Sequence, residues 1–107
     1  MSFKYRPAVV IGIADSGDYN VLPVSTVSDP TKIDINFDIP IDPAKYPKLN
    51  LKKFSYVRTH KQTVVHMASM RAVSGNVSDI KSDYPKLFYE IMSKLEQYNK
   101  RLLNNAF

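Results

Sequence analysis

Arg6-Pro7-Ala8-Val9-Val10-Ile11-Gly12-Ile13 opens the interpretable part of the chain, and its reading sets the fold. Val9, Val10, Ile11 and Ile13 are β-branched and leave little polar surface, as in a strand buried on both faces. Asp15-Ser16-Gly17-Asp18 is turn chemistry, and Tyr19 to Val27 resumes an extended pattern, so the two stretches form a β-hairpin. Pro23 has no N–H to give to a ladder, which puts an edge, a bulge or an unpaired face at that position.

Working outward, Ser28 to Lys32 interrupts the pattern around Pro30. Ile33, Ile35, Phe37, Ile39 and Ile41 then alternate with Asp34, Asn36, Asp38 and Pro40, a period of two that turns the apolar residues inward and the acids to water. Asp42 to Asn50 reads as loop. Lys53 to Thr59 and Gln62 to Ala68 read as two short strands joined at His60-Lys61, and Met70 to Ser78 as irregular chain with a Gly75-Asn76 turn. From Ser82 the period changes. Tyr84, Leu87, Phe88, Ile91, Met92, Leu95, Tyr98 and Leu102 recur at steps of three and four, which predicts an amphipathic helix capped by Ser82 or Asp83, with Pro85 in its first turn and Lys100 and Arg101 in its last turns. Five short strands followed by one helix make an α+β domain, expected as a small, strongly curved, mostly antiparallel barrel capped by the helix.

The 107 residues fit one domain, and 44% hydrophobic positions suffice for a core. Cysteine is absent, which excludes disulfide scaffolds, thiol nucleophiles and thiolate metal sites; two histidines, His60 and His66, argue against a transition-metal centre. No cofactor is expected. The longest apolar runs are too short for a bilayer, and Met1 to Pro7 hold no apolar segment of signal-peptide length, so the expectation is a soluble, cytoplasmic protein.

Charge is segregated. Asp15 to Asp42 holds six aspartates and one lysine, whereas Pro43 to Ser78 holds Lys45, Lys48, Lys52, Lys53, Arg58, Lys61 and Arg71 with no carboxylate. Cations interleaved with Tyr46, Phe54, Tyr56 and His60 suit a polyanion whose bases stack on rings. The same pattern also describes a lysine-rich loop kept in water by its charge.

Tyr5-Arg6-Pro7-Ala8-Val9-Val10-Ile11 resembles the opening strand of the MazF/PemK family of toxin endoribonucleases. Val21-Leu22-Pro23-Val24-Ser25-Thr26 is similar to that family's second core strand with its terminal hydroxyl motif, Phe54-Ser55-Tyr56-Val57-Arg58-Thr59 to its strand ending in Arg-Thr, and the C-terminal helix stands in the same order. The likeness covers nearly the whole chain, residues 1–107 as one such domain, but the family's usual first strand has no counterpart ahead of Arg6. The family also commonly has Ile-Asp where this chain has His60-Lys61. The resemblance implies an SH3-like barrel, a homodimer, an antitoxin protein as partner, and metal-independent cleavage of single-stranded RNA.

On that resemblance Arg6 and Ser25 take the family's catalytic positions. A guanidinium meets two phosphate oxygens and stays charged, and a fixed hydroxyl can donate to an oxyanion. Read by themselves, Arg6 is a strand-edge arginine in water and Ser25 an ordinary strand-end serine. Thr26, Lys53, Ser55, Arg58 and His60 are the RNA-binding candidates. Lys53 and Ser55 occupy positions where some relatives carry Arg and Asp. Arg58 either meets phosphate or pairs with an acid of a partner subunit, and His60 is either a near-neutral proton shuttle or a turn histidine. His66 reads as half-buried structure. The alternative to a nuclease is a non-catalytic SH3-like barrel that binds RNA or a protein.

Overall fold

The computed structural model describes residues 7–13, 15–66 and 78–106. Five strands, β1 (Ala8–Ile13), β2 (Asp18–Ser25), β3 (Asp38–Ile41), β4 (Ser55–Arg58) and β5 (Thr63–His66), precede a one-turn helix α1 (Ile80–Asp83) and a long helix α2 (Pro85–Asn105). All pairings are antiparallel. The fold is α+β, and the sheet is not closed into the expected barrel: its order is β1-β2-β4-β3, with β5 attached to β2.

β2 organises the sheet. One edge takes β1, from Ala8 opposite Pro23 to Ile13 opposite Tyr19. The other edge is shared, its first half by β5 (Asp18 opposite His66 to Val21 opposite Thr63) and its end by β4 (Val24 opposite Val57, Ser25 opposite Tyr56). The Val24 N–H donates to the Pro7 carbonyl at 3.0 Å, so by alternation the nitrogen of Pro23 faces the gap where β5 hands over to β4. The proline occupies the one stretch of that edge with no ladder bond to lose. Pro40, likewise, is exposed on β3, an edge strand among the described residues.

The hairpin turn has Ser16 at φ 72° and Gly17 at φ 78°. Two successive left-handed residues are the mark of the type I′ turn, whose twist matches that of the strands. A register irregularity between Val10 and Gly12 inserts one extra residue into β1.

The core is built from Val9, Leu22, Val24, Ile39, Ile41 and Val57 on one sheet face, covered by Leu87, Ile91 and Leu95 of α2. These helix residues lie four apart, one apolar stripe as the periodicity requires. Leu102 at the distal end of that stripe is half exposed. The long helix begins at Pro85, with Tyr84 as a cap whose side chain makes no bond to the helix, instead of at Ser82 or Asp83. Asp79 caps the preceding turn by accepting from the Ser82 N–H, and Asp83 accepts from Ser78 and Lys48. Because α2 continues to Asn105, Lys100 and Arg101 lie above its last turn.

Three expectations are corrected. β1 is buried on one face only: Val9 is 7% exposed, whereas Val10 is 42% and Ile13 74%. Among the described residues it is an edge strand with no second layer over its outward side chains. The Ile33–Ile41 alternation is a strand only from Asp38 onward. The Asp34 carboxylate accepts from the N–H groups of Asn36 and Phe37 and bends the chain, which leaves Ile35 89% exposed and Asp38 buried instead of in water. His66 is exposed at the end of β5. The expected Gly75-Asn76 turn and the end of the Gln62–Ala68 strand lie outside the described residues. No described helix is long and apolar enough to cross a membrane.

Candidate functional site

Where β2 ends against β4, the pleat sends Val24 and Val57 into the core and their neighbours Ser25 and Tyr56 to the opposite, outer face. Tyr56 is half-buried there, with Phe54 packed edge-on against it at 5.5 Å between ring centroids. Phe54 is itself 49% exposed. Thr26, which follows Ser25, and Lys52 and Lys53, which lead into Phe54, are exposed. Among the described residues the side chains of Ser25, Thr26, Lys52 and Lys53 make no hydrogen bond or ion pair. Ser25, Tyr56 and the exposed residues adjoining them in sequence make a strip that offers two hydroxyls, two rings and two ammonium groups. Cations attract phosphate, and uncovered rings accept bases.

Arg58 follows Tyr56 on the same face but turns away from Ser25, across β4 toward β3. Its Nε donates to Asp38 Oδ1 at 3.1 Å, and Nη2 bonds the Lys32 carbonyl at 3.2 Å. The Asp38 carboxylate is fully buried and also accepts from the Asp34 N–H at 2.9 Å. Arg58 therefore meets an acid of its own chain, and its charge is already matched.

Ser55 is out of phase with the strip. It is 5% exposed on the core side, and its hydroxyl donates to the Lys53 carbonyl at 2.9 Å, so it presents nothing to the outer face. Thr59, fully buried, closes the strand by donating its hydroxyl to the Phe37 carbonyl at 2.6 Å.

His60 leaves the sheet at the next turn. Its ring lies between Phe37 and Tyr98, with centroids at 6.3 and 6.2 Å, and Arg101 stands over Phe37 at 5.8 Å. Nδ1 is buried 3.6 Å from Asp38 Oδ1, too far for a hydrogen bond. Burial holds the imidazole pKa below its ordinary 6.5, and the Asp38 carboxylate opposes that shift without overcoming it. His60 is thus a neutral ring near pH 7, on the Asp38 side of β4.

The sequence candidates therefore divide. Ser25 lies on the outer face opposite Tyr56, and Thr26 and Lys53 are exposed in the segments adjoining that pair; Arg58 and His60 gather on Asp38; Ser55 belongs to the core; Arg6 lies outside the described residues. Asp38 is the residue that sequence reasoning missed, because nothing local marks an aspartate whose partners lie 20 positions on. Among the described residues no group of three histidines or carboxylates is placed to hold a metal ion. Comparison of the chain with family models, with curated proteins and with solved structures found no match.

Proposed function

We propose that this chain is the toxin of a toxin–antitoxin pair, a metal-independent endoribonuclease for single-stranded RNA built on an unclosed SH3-like sheet. The observation that carries this reading is the placement of Ser25 opposite Tyr56 on the outer face of the sheet, with Phe54 packed on Tyr56 and the exposed Lys52 and Lys53 next to Phe54 in sequence. It joins the ordered likeness of the Arg6, Ser25 and Arg58 segments to the MazF/PemK family.

In the proposed reaction the substrate's 2′-oxygen attacks the adjacent phosphorus and loses its proton. The bond to the 5′-oxygen breaks, and that oxygen takes up a proton, leaving a 2′,3′-cyclic phosphate and a 5′-hydroxyl end. Arg6 neutralises the non-bridging oxygens, and Ser25 donates to the oxyanion that develops on them. Lys52 and Lys53 hold flanking phosphates while Phe54 and Tyr56 support bases. Thr26 borders the same groove. The toxin acts in the cytoplasm as a homodimer and is restrained by an acidic segment of its antitoxin lying along the same strip.

A second reading, a non-catalytic sheet that binds RNA or a protein, is favoured by one feature: Arg58 is occupied by Asp38, so no described arginine stands free beside Ser25. Incubation of the protein with long single-stranded RNA in EDTA separates the two. Discrete cuts with cyclic-phosphate ends, lost in Arg6→Ala and Ser25→Ala, support the nuclease. Salt-sensitive binding by the folded protein without cutting supports the module.

A further inference from the structure

On the helix side of the sheet, at the corner where β4 passes to β5, lies a cleft of about 380 Å³. That volume falls at the lower end of small-ligand pockets, roughly 300–1,000 Å³. Its polar lining consists of Asn20, His60, Gln62, Thr63, Tyr98 and Asn99. Val64 and Leu102, exposed by 59% and 50%, supply an apolar margin.

Two properties define what the cleft accepts. It carries no full charge: no carboxylate, lysine or arginine lines it, and His60 is held neutral by burial. It is also rich in groups that both donate and accept. The carboxamides of Asn20, Gln62 and Asn99, the phenol of Tyr98 and the hydroxyl of Thr63 have no hydrogen-bond partner among the described residues. Phosphates and carboxylates find no counter-charge here, and a purely apolar ligand would strand the amides.

The aromatic pair adds shape. The planes of His60 and Tyr98 meet at 73°, and Phe37 braces Tyr98 from another side at 5.0 Å. A flat ligand can lie along one ring while its edge meets the other. A neutral, planar molecule with donors and acceptors along its rim is the chemistry of a nucleobase, and an amide matches such a rim with one donor and one acceptor.

We propose that this cleft is a pocket for a single unpaired nucleobase and, resting on the RNA reading above, for a base of the same single strand. Asn20 is five positions from Ser25 on β2, roughly 17 Å along a strand, and faces the opposite side of the sheet. The RNA therefore rounds the corner formed by His60, Lys61 and Gln62, with exposed Lys61 beside its phosphates. The pocket would read a base outside the cut dinucleotide.

The chain has two histidines, so the imidazole carbon-bound protons give two resolvable sets of NMR signals. Titration with adenosine, guanosine, cytidine and uridine, which carry no phosphate, is expected to move the His60 signals saturably for at least one nucleoside and leave His66 in place. Gln62→Leu and Asn99→Leu, at exposed positions with no bonds to lose, are expected to keep the melting temperature and to weaken that nucleoside about tenfold or more, the effect of one lost hydrogen bond. Silence of His60 towards all four nucleosides, or equal binding by the variants, overturns the pocket. RNA cutting measured on the same samples separates the two proposals. Cutting with a silent His60 removes the pocket and leaves the nuclease; a shifted His60 without cutting keeps the pocket and removes the nuclease.

Discussion

Arg58 and Asp38 face each other across β4 and β3, guanidinium to carboxylate at 3.1 Å, with the aspartate side chain fully buried and the arginine side chain 22% exposed. The pair joins two strands and, through the Lys32 carbonyl, also pins the loop that precedes β3. Removing the arginine leaves a buried carboxylate unpaired. Arg58→Met is expected to cost about 3 kcal/mol, the lower end for a broken buried pair because the guanidinium is partly wetted. Arg58→Met with Asp38→Leu is expected to be more stable than the single variant. Urea unfolding midpoints of the two variants check both statements, and a harmless single substitution would contradict them.

His60 makes folding sensitive to acid. Its folded-state pKa lies below the ordinary 6.5, so the unfolded chain binds the proton at higher pH than the folded one. The stabilising contribution is therefore complete above about 6.5 and is lost as pH falls toward the depressed folded value. Comparison of wild type with His60→Phe between pH 8 and pH 5 is expected to show the steeper loss in wild type.

Ser25→Ala is expected to leave the fold intact, since the hydroxyl has no bond among the described residues, while RNA cutting slows by about 10²–10³, the typical loss of one oxyanion donor. Single-turnover rates together with melting curves distinguish lost chemistry from lost structure.

Lys52→Gln with Lys53→Gln is expected to weaken RNA binding evenly across sequences. Each lost phosphate contact to a single strand lowers the slope of log K against log salt by about 0.7, so the double variant should be shallower by about 1.4. Affinities measured between low and moderate salt give the slope directly; an unchanged slope places the RNA elsewhere.

Ile91, fully buried beneath the sheet, anchors α2. Ile91→Ala is expected to cost about 2–5 kcal/mol, the range for emptying such a site. Thermal unfolding gives the value, and a cost under about 1 kcal/mol would mean that the helix does not cover this core in solution.

The elements legible in the sequence were those whose cause is local. The three- and four-residue period from Tyr84 gives the apolar stripe of α2, and Asp15 to Asp18 gives the hairpin turn. Where the cause is tertiary, the reading slips. Asp38 falls in an alternation that looks solvent-facing until the register brings Arg58 opposite it, and aliphatic residues on both faces of β1 say nothing about whether a second layer covers them. That at least one of Ser25 and Thr26 stays outside the core was legible because they follow the Val21–Val24 run, and Thr26 is the exposed one. Ser55 was not, since its inward phase depends on how β4 pairs. The amides of the cleft come from three separate elements and share no spacing that could announce them.

The sharing of β2 among three partners also orders events in time. The hairpin with β1 closes through a few residues, on the scale of microseconds, whereas β4 and β5 must return across long intervening chain to the opposite edge. The turn at Ser16 and Gly17 is therefore expected to close before either return is made. Gly17 holds φ 78° there, a conformation that costs an L side chain energy. A Gly17→Ala substitution should slow refolding in stopped-flow traces and leave the unfolding arm nearly where it was, the signature of a contact already made at the barrier.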